Sequence, residues 1–124
     1  FHRAIEESRR ILDLPDDWDD KGSARYNKST WERAVRFLSA QARFAYRRLD
    51  KVLDAPEILP GPDGSIDLHW DEENYELLVN IPDEPGEPAR YYGYNREELR
   101  PIKGSCDPAQ PDEDLVLWLI RMNR

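Results

Sequence analysis

Apolar positions in the first half of the chain recur at three- and four-residue steps. Over residues 2–13, Ala4, Ile5, Ile11 and Leu12 form a narrow apolar face among Glu6, Glu7, Arg9 and Arg10. That pattern predicts a first helix, stopped by Pro15. A polar loop, Asp16 to Gly22, carries one large aromatic, Trp18. Ser29-Thr30-Trp31-Glu32 then has the form of a capping box, with Ser29 at the cap. The helix it opens should run to about Leu53, ahead of Pro56. Trp31, Val35, Leu38, Ala42, Ala45, Leu49 and Val52 make one apolar stripe along about six to seven turns.

From Pro56 the period changes. Pro60-Gly61-Pro62-Asp63-Gly64 reads as a turn-dense connector. Ile66, Leu68 and Trp70 alternate with Asp67 and His69, as in a half-buried strand. Asp71 to Asn74 has the length of a hairpin loop, and Tyr75, Leu77, Val79 and Ile81 alternate as a second strand. Residues 89–95 predict a third strand. A short fourth lies near Leu99–Lys103, where Pro101 assigns it to an edge. Residues 104–111 read as a loop. Asp112-Glu113-Asp114 suits the start of a helix carrying Leu115 to Ile120, with a buried strand as the alternative for so short an apolar run. The expected fold class is therefore α+β: an antiparallel three- to four-stranded meander sheet packed on a long helix, with N-terminal and C-terminal helices. Residues 1–124 are read as one domain, helical over 1–55, strand-rich over 56–104, with the C-terminal helix at 112–123.

Charge adds an asymmetry to this picture. The 124 residues carry a net charge of −8. Residues 1–53 hold 12 Lys/Arg against 9 Asp/Glu, a balance of +3, whereas residues 54–124 hold 6 against 17, a balance of −11. An acidic chain is a poor general binder of nucleic acid or anionic membrane. A split between halves signals either an interaction surface or internal neutralisation. Cys106 is the single cysteine, so no intramolecular disulfide forms. With no 18-residue apolar run and no signal pattern, the expected location is cytoplasmic.

Candidate chemistry is sparse. At 100° per residue, Arg33, Arg36, Arg43, Arg47 and Lys51 fall within about an 80° arc of the long helix, with Phe37, Phe44 and Arg48 beside it. Arg33, Arg36, Phe37, Arg43, Phe44 and Arg47 form the candidate partner-binding set. Such a face can receive single-stranded nucleic acid or an acidic protein surface. It can also be a solvated face whose phenylalanines pack on the first helix. Asp16–Asp20 resembles the start of a calcium loop, but its register fails: counting from Asp17, the third ligand position is Lys21 and the twelfth is Lys28. His69 with Asp67 and Asp71 is one acid–base grouping, and the carboxylates Asp71, Glu72, Glu73 and Glu76 at the first hairpin could serve glycosidic chemistry or form an ordinary charged tip. Cys106 has no basic residue nearer than Lys103, so it lacks an activating base. Alternation puts Tyr92 and Tyr94 on one face of their strand and Tyr91 on the other, which leaves at least one tyrosine set exposed. No catalytic residue, metal or cofactor is assigned.

Leu14-Pro15-Asp16-Asp17-Trp18-Asp19, then Gly22-Ser23-Ala24, and Pro56 through Trp70 together resemble a group of small uncharacterised bacterial and phage-associated proteins. Those carry an Asn-Trp-Asp-Gly-Tyr-Gly-like loop followed by a Pro-Asp-Gly-Gly-Ile-x-Leu-Glu-Trp-like strand. The resemblance covers roughly residues 10–82. The chain departs from it at Asp20-Lys21 and at His69. Members encoded near toxin–antitoxin or defence genes imply a protein partner. The expectation is thus a non-enzymatic protein-interaction domain, a homodimer or an antitoxin-like, defence-associated accessory protein. Nucleic-acid binding through the Arg/Phe face and a carboxylate-based hydrolase are the alternatives.

Overall fold

A computed structural model describes residues 1–15, 25–97 and 100–123. Helix α1 spans His2–Ser8 and tightens into a 3-10 segment at Arg9–Asp13. Leu14 is already extended, at φ −72° and ψ 125°. Pro15 disfavours the helical region for the residue before it, so the helix ends there. The Asp16–Gly22 loop and Trp18 lie outside the described residues.

Helix α2 spans Lys28–Leu49. It starts one residue before the expected cap, so Ser29 is inside the helix and the capping box does not form. Asn27 occupies the cap, and its side chain makes no capping bond. The start is held from outside instead. Asn27 Nδ2 and Thr30 Oγ1 both donate to Asp83 Oδ1, at 3.0 and 2.7 Å. A carboxylate at a helix N-terminus also complements its dipole. The far end stops at Leu49 rather than Leu53, because Asp50 turns left-handed at φ 53°. The amide N–H of Lys51 then donates to the Ala45 carbonyl at 3.0 Å. Leu53 returns to the core, while Val52 is left exposed.

Five strands form one antiparallel meander in the order β1-β2-β3-β4-β5. They are β1 (Glu57–Pro60), β2 (Ile66–Asp71), β3 (Tyr75–Ile81), β4 (Ala89–Asn95) and β5 (Pro101–Cys106). The sheet is therefore larger than the three to four strands expected. The additional strand is β1, whose prolines make it read as a connector; a short edge strand tolerates them. It joins β2 through Pro62–Gly64, where Asp63 and Gly64 are both left-handed, as a tight mirror-image hairpin turn requires. β5 also runs further than expected and takes in Cys106. Helix α3 spans Glu113–Met122, with the Asp112 side chain accepting from the Leu115 amide at 2.9 Å.

The inner sheet face is set by alternation. Ile66, Leu68 and Trp70 on β2 and Tyr75, Leu77, Val79 and Ile81 on β3 are all buried. They share a core with Phe37 and Leu38 of α2 and with Leu115, Val116 and Leu119 of α3. Trp118 meets Tyr75 edge to face at 5.6 Å between ring centroids. Asp54 ties the end of the α2 connector to this core. Its carbonyl accepts from Trp70 Nε1 at 2.8 Å and its carboxylate from the Tyr75 hydroxyl at 3.0 Å.

The buried face of α2 is turned relative to the expected stripe. Thr30, Trp31, Ala34, Phe37, Leu38, Gln41 and Ala45 point inward, whereas Val35 and Ala42 are half-buried. Gln41 is completely buried. Its amide donates to the Gln110 carbonyl at 3.0 Å and accepts from the Asp112 amide at 2.8 Å, fastening the segment that leads into α3.

Two outcomes follow from these ties. Gln41→Leu leaves two backbone groups unpaired and should lower unfolding free energy by about 1–3 kcal/mol, read from the urea midpoint. Hydrogen bonds from Thr30 and Asn27, with Arg33 nearby, hold the Asp83 carboxyl below its ordinary value of 3.8. A carboxyl depressed in the folded state stabilises above its unfolded pKa and loses that contribution as pH falls through the folded one. Asp83→Asn should therefore show a shallower loss of stability below about pH 4 than the parent chain in acid titrations followed by circular dichroism.

Candidate interaction surface

Alternation that sends one set of side chains into the core sends the other set outward. The outward set forms three rows across the sheet, given by the strand registers. The first is Leu59, Asp67, Asn80, Arg90 and Ser105. The second is Glu57, His69, Leu78, Tyr92 and Lys103. The third is Asp71, Glu76, Tyr94 and Pro101. All of them remain exposed or half-buried. Leu78 and Tyr92, paired across β3 and β4 at the centre, are 39% and 51% exposed.

A hydrogen-bonded network borders this apolar centre. His69 Nε2 lies 2.6 Å from Glu76 Oε2, and the Tyr94 hydroxyl donates to Glu76 Oε1 at 2.8 Å. Arg96 reaches Asp71 Oδ1 at 2.5 Å and the Glu72 carbonyl at 3.0 Å, and its guanidinium lies 5.7 Å from the Tyr94 ring. Tyr94 in turn rests 6.4 Å from Tyr92, ring to ring. The bonds from His69 and Tyr94 hold the Glu76 carboxyl below its usual range. On the other side, Asn80 Nδ2 donates to Ser65 Oγ and Asp67 Oδ1, both at 2.8 Å. Burial nonetheless raises the Asp67 carboxyl, outweighing that bond. The side chains around Leu78 and Tyr92 are thus held in place before anything binds, which lowers the entropy cost of association.

Asp67 and Asp71 sit four residues apart on one strand, about 13 Å along it, beyond the roughly 5–9.5 Å that paired catalytic carboxylates use, whereas Asp71 and Glu76 are register partners with carboxylate oxygens within 4.8 Å. His69, Asp71 and Glu76 bring one donor atom each within 4.8 Å of one another, a geometry that a metal ion could use. All three residues are already hydrogen-bonded, His69 to Glu76, Glu76 also to Tyr94, and Asp71 to Arg96.

The arginine face of α2 does not hold together as one site. Phe37 is fully buried and belongs to the core, which removes it from any contact with a partner. The expected stripe is centred near Trp31 and Leu38, but the buried face is turned toward Ala34, Phe37 and Gln41. Arg33 turns inward onto the β3–β4 turn, donating to the carbonyls of Pro82, Asp83 and Glu84 at 3.1, 2.8 and 3.4 Å. Arg36 stays exposed, 3.8 Å from Glu32. Arg43, Phe44 and Arg47 do come together, around a shallow hollow of about 270 Å³ closed by Ala40, Arg48 and Pro111. With one aromatic left, base stacking between cations has a single platform.

Cys106 ends β5 rather than lying in a loop, and burial, with Asp112 and Asp107 nearby, pushes its thiol up to about 11. A thiol so rarely ionised is a poor nucleophile. Among the described residues, no helix is long and apolar enough to cross a membrane.

No family model, no curated protein and no solved structure matches the chain. One signal in the sequence did point to the outward face: Tyr92 and Tyr94 on one side of β4. The pairing of Tyr92 with Leu78 needed the register.

The two phenylalanines of α2 should respond differently to truncation. Phe37→Ala should cost about 3–5 kcal/mol of stability, and half-buried Phe44→Ala only about 1 kcal/mol, measured by chemical denaturation. Equal losses would contradict their separate placement.

Proposed function

We propose that the protein is a non-enzymatic interaction domain that binds another protein surface through the outward face of its sheet. The observation that carries this is the exposed Leu78–Tyr92 pair, set at the centre of a hydrogen-bonded polar surround. An apolar, aromatic centre ringed by polar groups is the arrangement that protein interfaces use. Among the described residues the core is built on the opposite face of the sheet. An antitoxin-like or defence-associated accessory role is compatible with such a surface.

The second reading uses Arg43, Phe44 and Arg47, whose grouping around one hollow fits an acidic protein segment or single-stranded nucleic acid. Binding there would weaken steeply with salt, whereas binding at an apolar sheet face would not.

A photo-crosslinking residue placed at position 78 or 92, in cells that make the protein, should capture a protein adduct. The same residue at position 46, where Tyr46 is 65% exposed on α2, should not. Adducts from position 46 alone, or none from the sheet face, would contradict the proposal.

A further inference from the structure

The outward face is polarised across its strands. Glu57, Asp67, Asp71 and Glu76 lie on β1, β2 and β3, while Arg90 and Lys103 lie on β4 and β5. The middle row runs from an acid at one edge, Glu57, through His69, Leu78 and Tyr92 to a base at the other, Lys103. Leu78 sits on the central strand of five. A surface with an apolar centre and opposite charges on its two sides is complementary to itself.

Resting on the reading of this face as an interface, we propose that its partner is a second copy of the same chain, packed sheet to sheet about a two-fold axis parallel to the strands at β3. A closed dimer presents the same patch from both copies. Two in-plane axes are available to stacked sheets. An axis running across the strands sets β1 over β1 and β5 over β5, bringing Glu57 against Glu57 and Lys103 against Lys103. An axis along the strands sets β1 over β5. Glu57 then faces Lys103 of the other copy, Asp67 faces Arg90, Leu78 meets Leu78 and Asn80 meets Asn80.

Charge therefore selects the second arrangement. Face-packed sheets cross at about 30°, which keeps the pairs near the axis and displaces edge pairs by a distance that Glu and Lys side chains can span. Along the axis, like charges meet at Glu76, whose carboxylate is already engaged by His69 and Tyr94.

The size of the face sets the strength. Five strands about 4.8 Å apart and six residues long cover about 24 by 20 Å, or about 1,000 Å² over both copies. That is the lower edge of specific interfaces, so association is reversible and concentration-dependent, with a Kd on the order of micromolar.

The test is sedimentation velocity on the purified chain from micromolar to near-millimolar concentration, with two charge variants. Glu57→Lys and Lys103→Glu each place like charges at both symmetry-related contacts, and each should weaken the dimer about tenfold. Mixing the two variants in equal amounts allows a heterodimer. In it, one edge contact pairs the two unaltered residues and the other the two substituted ones: the Glu57→Lys chain offers a base at both edges and the Lys103→Glu chain an acid at both edges. Base therefore meets acid at each contact, and the mixture should recover the parent affinity. Both positions are exposed, and circular dichroism checks that the variants fold. Leu78→Asp, on the axis, should abolish association.

A parent chain that stays monomeric at every concentration overturns the inference. So does a dimer whose variants are not rescued by mixing. In either case an adduct with a different protein from position 78 or 92 would leave the interaction reading standing. Failure of both experiments would remove both.

Discussion

The constraint on which the structure depends is that its sheet is covered on one side. Alternation along β2 and β3 drives Ile66, Leu68, Trp70, Tyr75, Leu77, Val79 and Ile81 to the inner face, where α2 and α3 bury them. Antiparallel sheets tolerate such one-sided burial because short hairpins leave the far face open. Polar ties on the covered side fix α2 and the segments beside it. Asp83 and Arg33 hold the start of α2, Gln41 its middle, and Asp54 the connector at its end. The outward face carries a separate network, from His69 through Glu76 and Tyr94 to Arg96 and Asp71, that holds none of the helices. Stability and surface chemistry are thereby divided between the two faces of one sheet.

This division explains why the charge split along the chain misleads. The basic first half suggests a single arginine surface on α2. In the folded molecule part of that charge is used internally, since Arg33 donates to the carbonyls of Pro82 and Asp83 in the β3–β4 turn. The polarity on which the proposed dimer rests runs across the strands, from the β1 edge to the β5 edge. It depends on strand register, which brings Glu57 and Lys103 into one row although they are far apart in sequence.

Much of the architecture was legible from periodicity. β2, β3 and β4 alternate cleanly, and their spans follow from that alternation. α3 was marked by its acidic first turn. β1 was hidden because Pro56, Pro60 and Gly61 signal a turn more loudly than Ile58 signals a strand. The face of α2 was misjudged because Gln41, a polar residue, is buried by backbone partners 69 and 71 positions away. The capping motif at Ser29 was displaced by Asp83, which no local pattern could reveal. The same difference in helix phase puts Phe37 in the core rather than beside the arginine face. Tyr92 was recognisable as an outward residue, but its pairing with Leu78 required the β3–β4 register.

The central claim is that the outward sheet face becomes covered by another protein surface. Hydroxyl-radical footprinting tests it most directly, since Tyr92 and Tyr46 are both exposed tyrosines on different elements of the isolated chain. Footprints would be compared at micromolar and near-millimolar concentration, and again in the presence of a captured partner. The account predicts that Tyr92 oxidation falls as the complex forms while Tyr46 oxidation stays constant. Equal oxidation of Tyr92 under every condition, or protection confined to Tyr46, would contradict it.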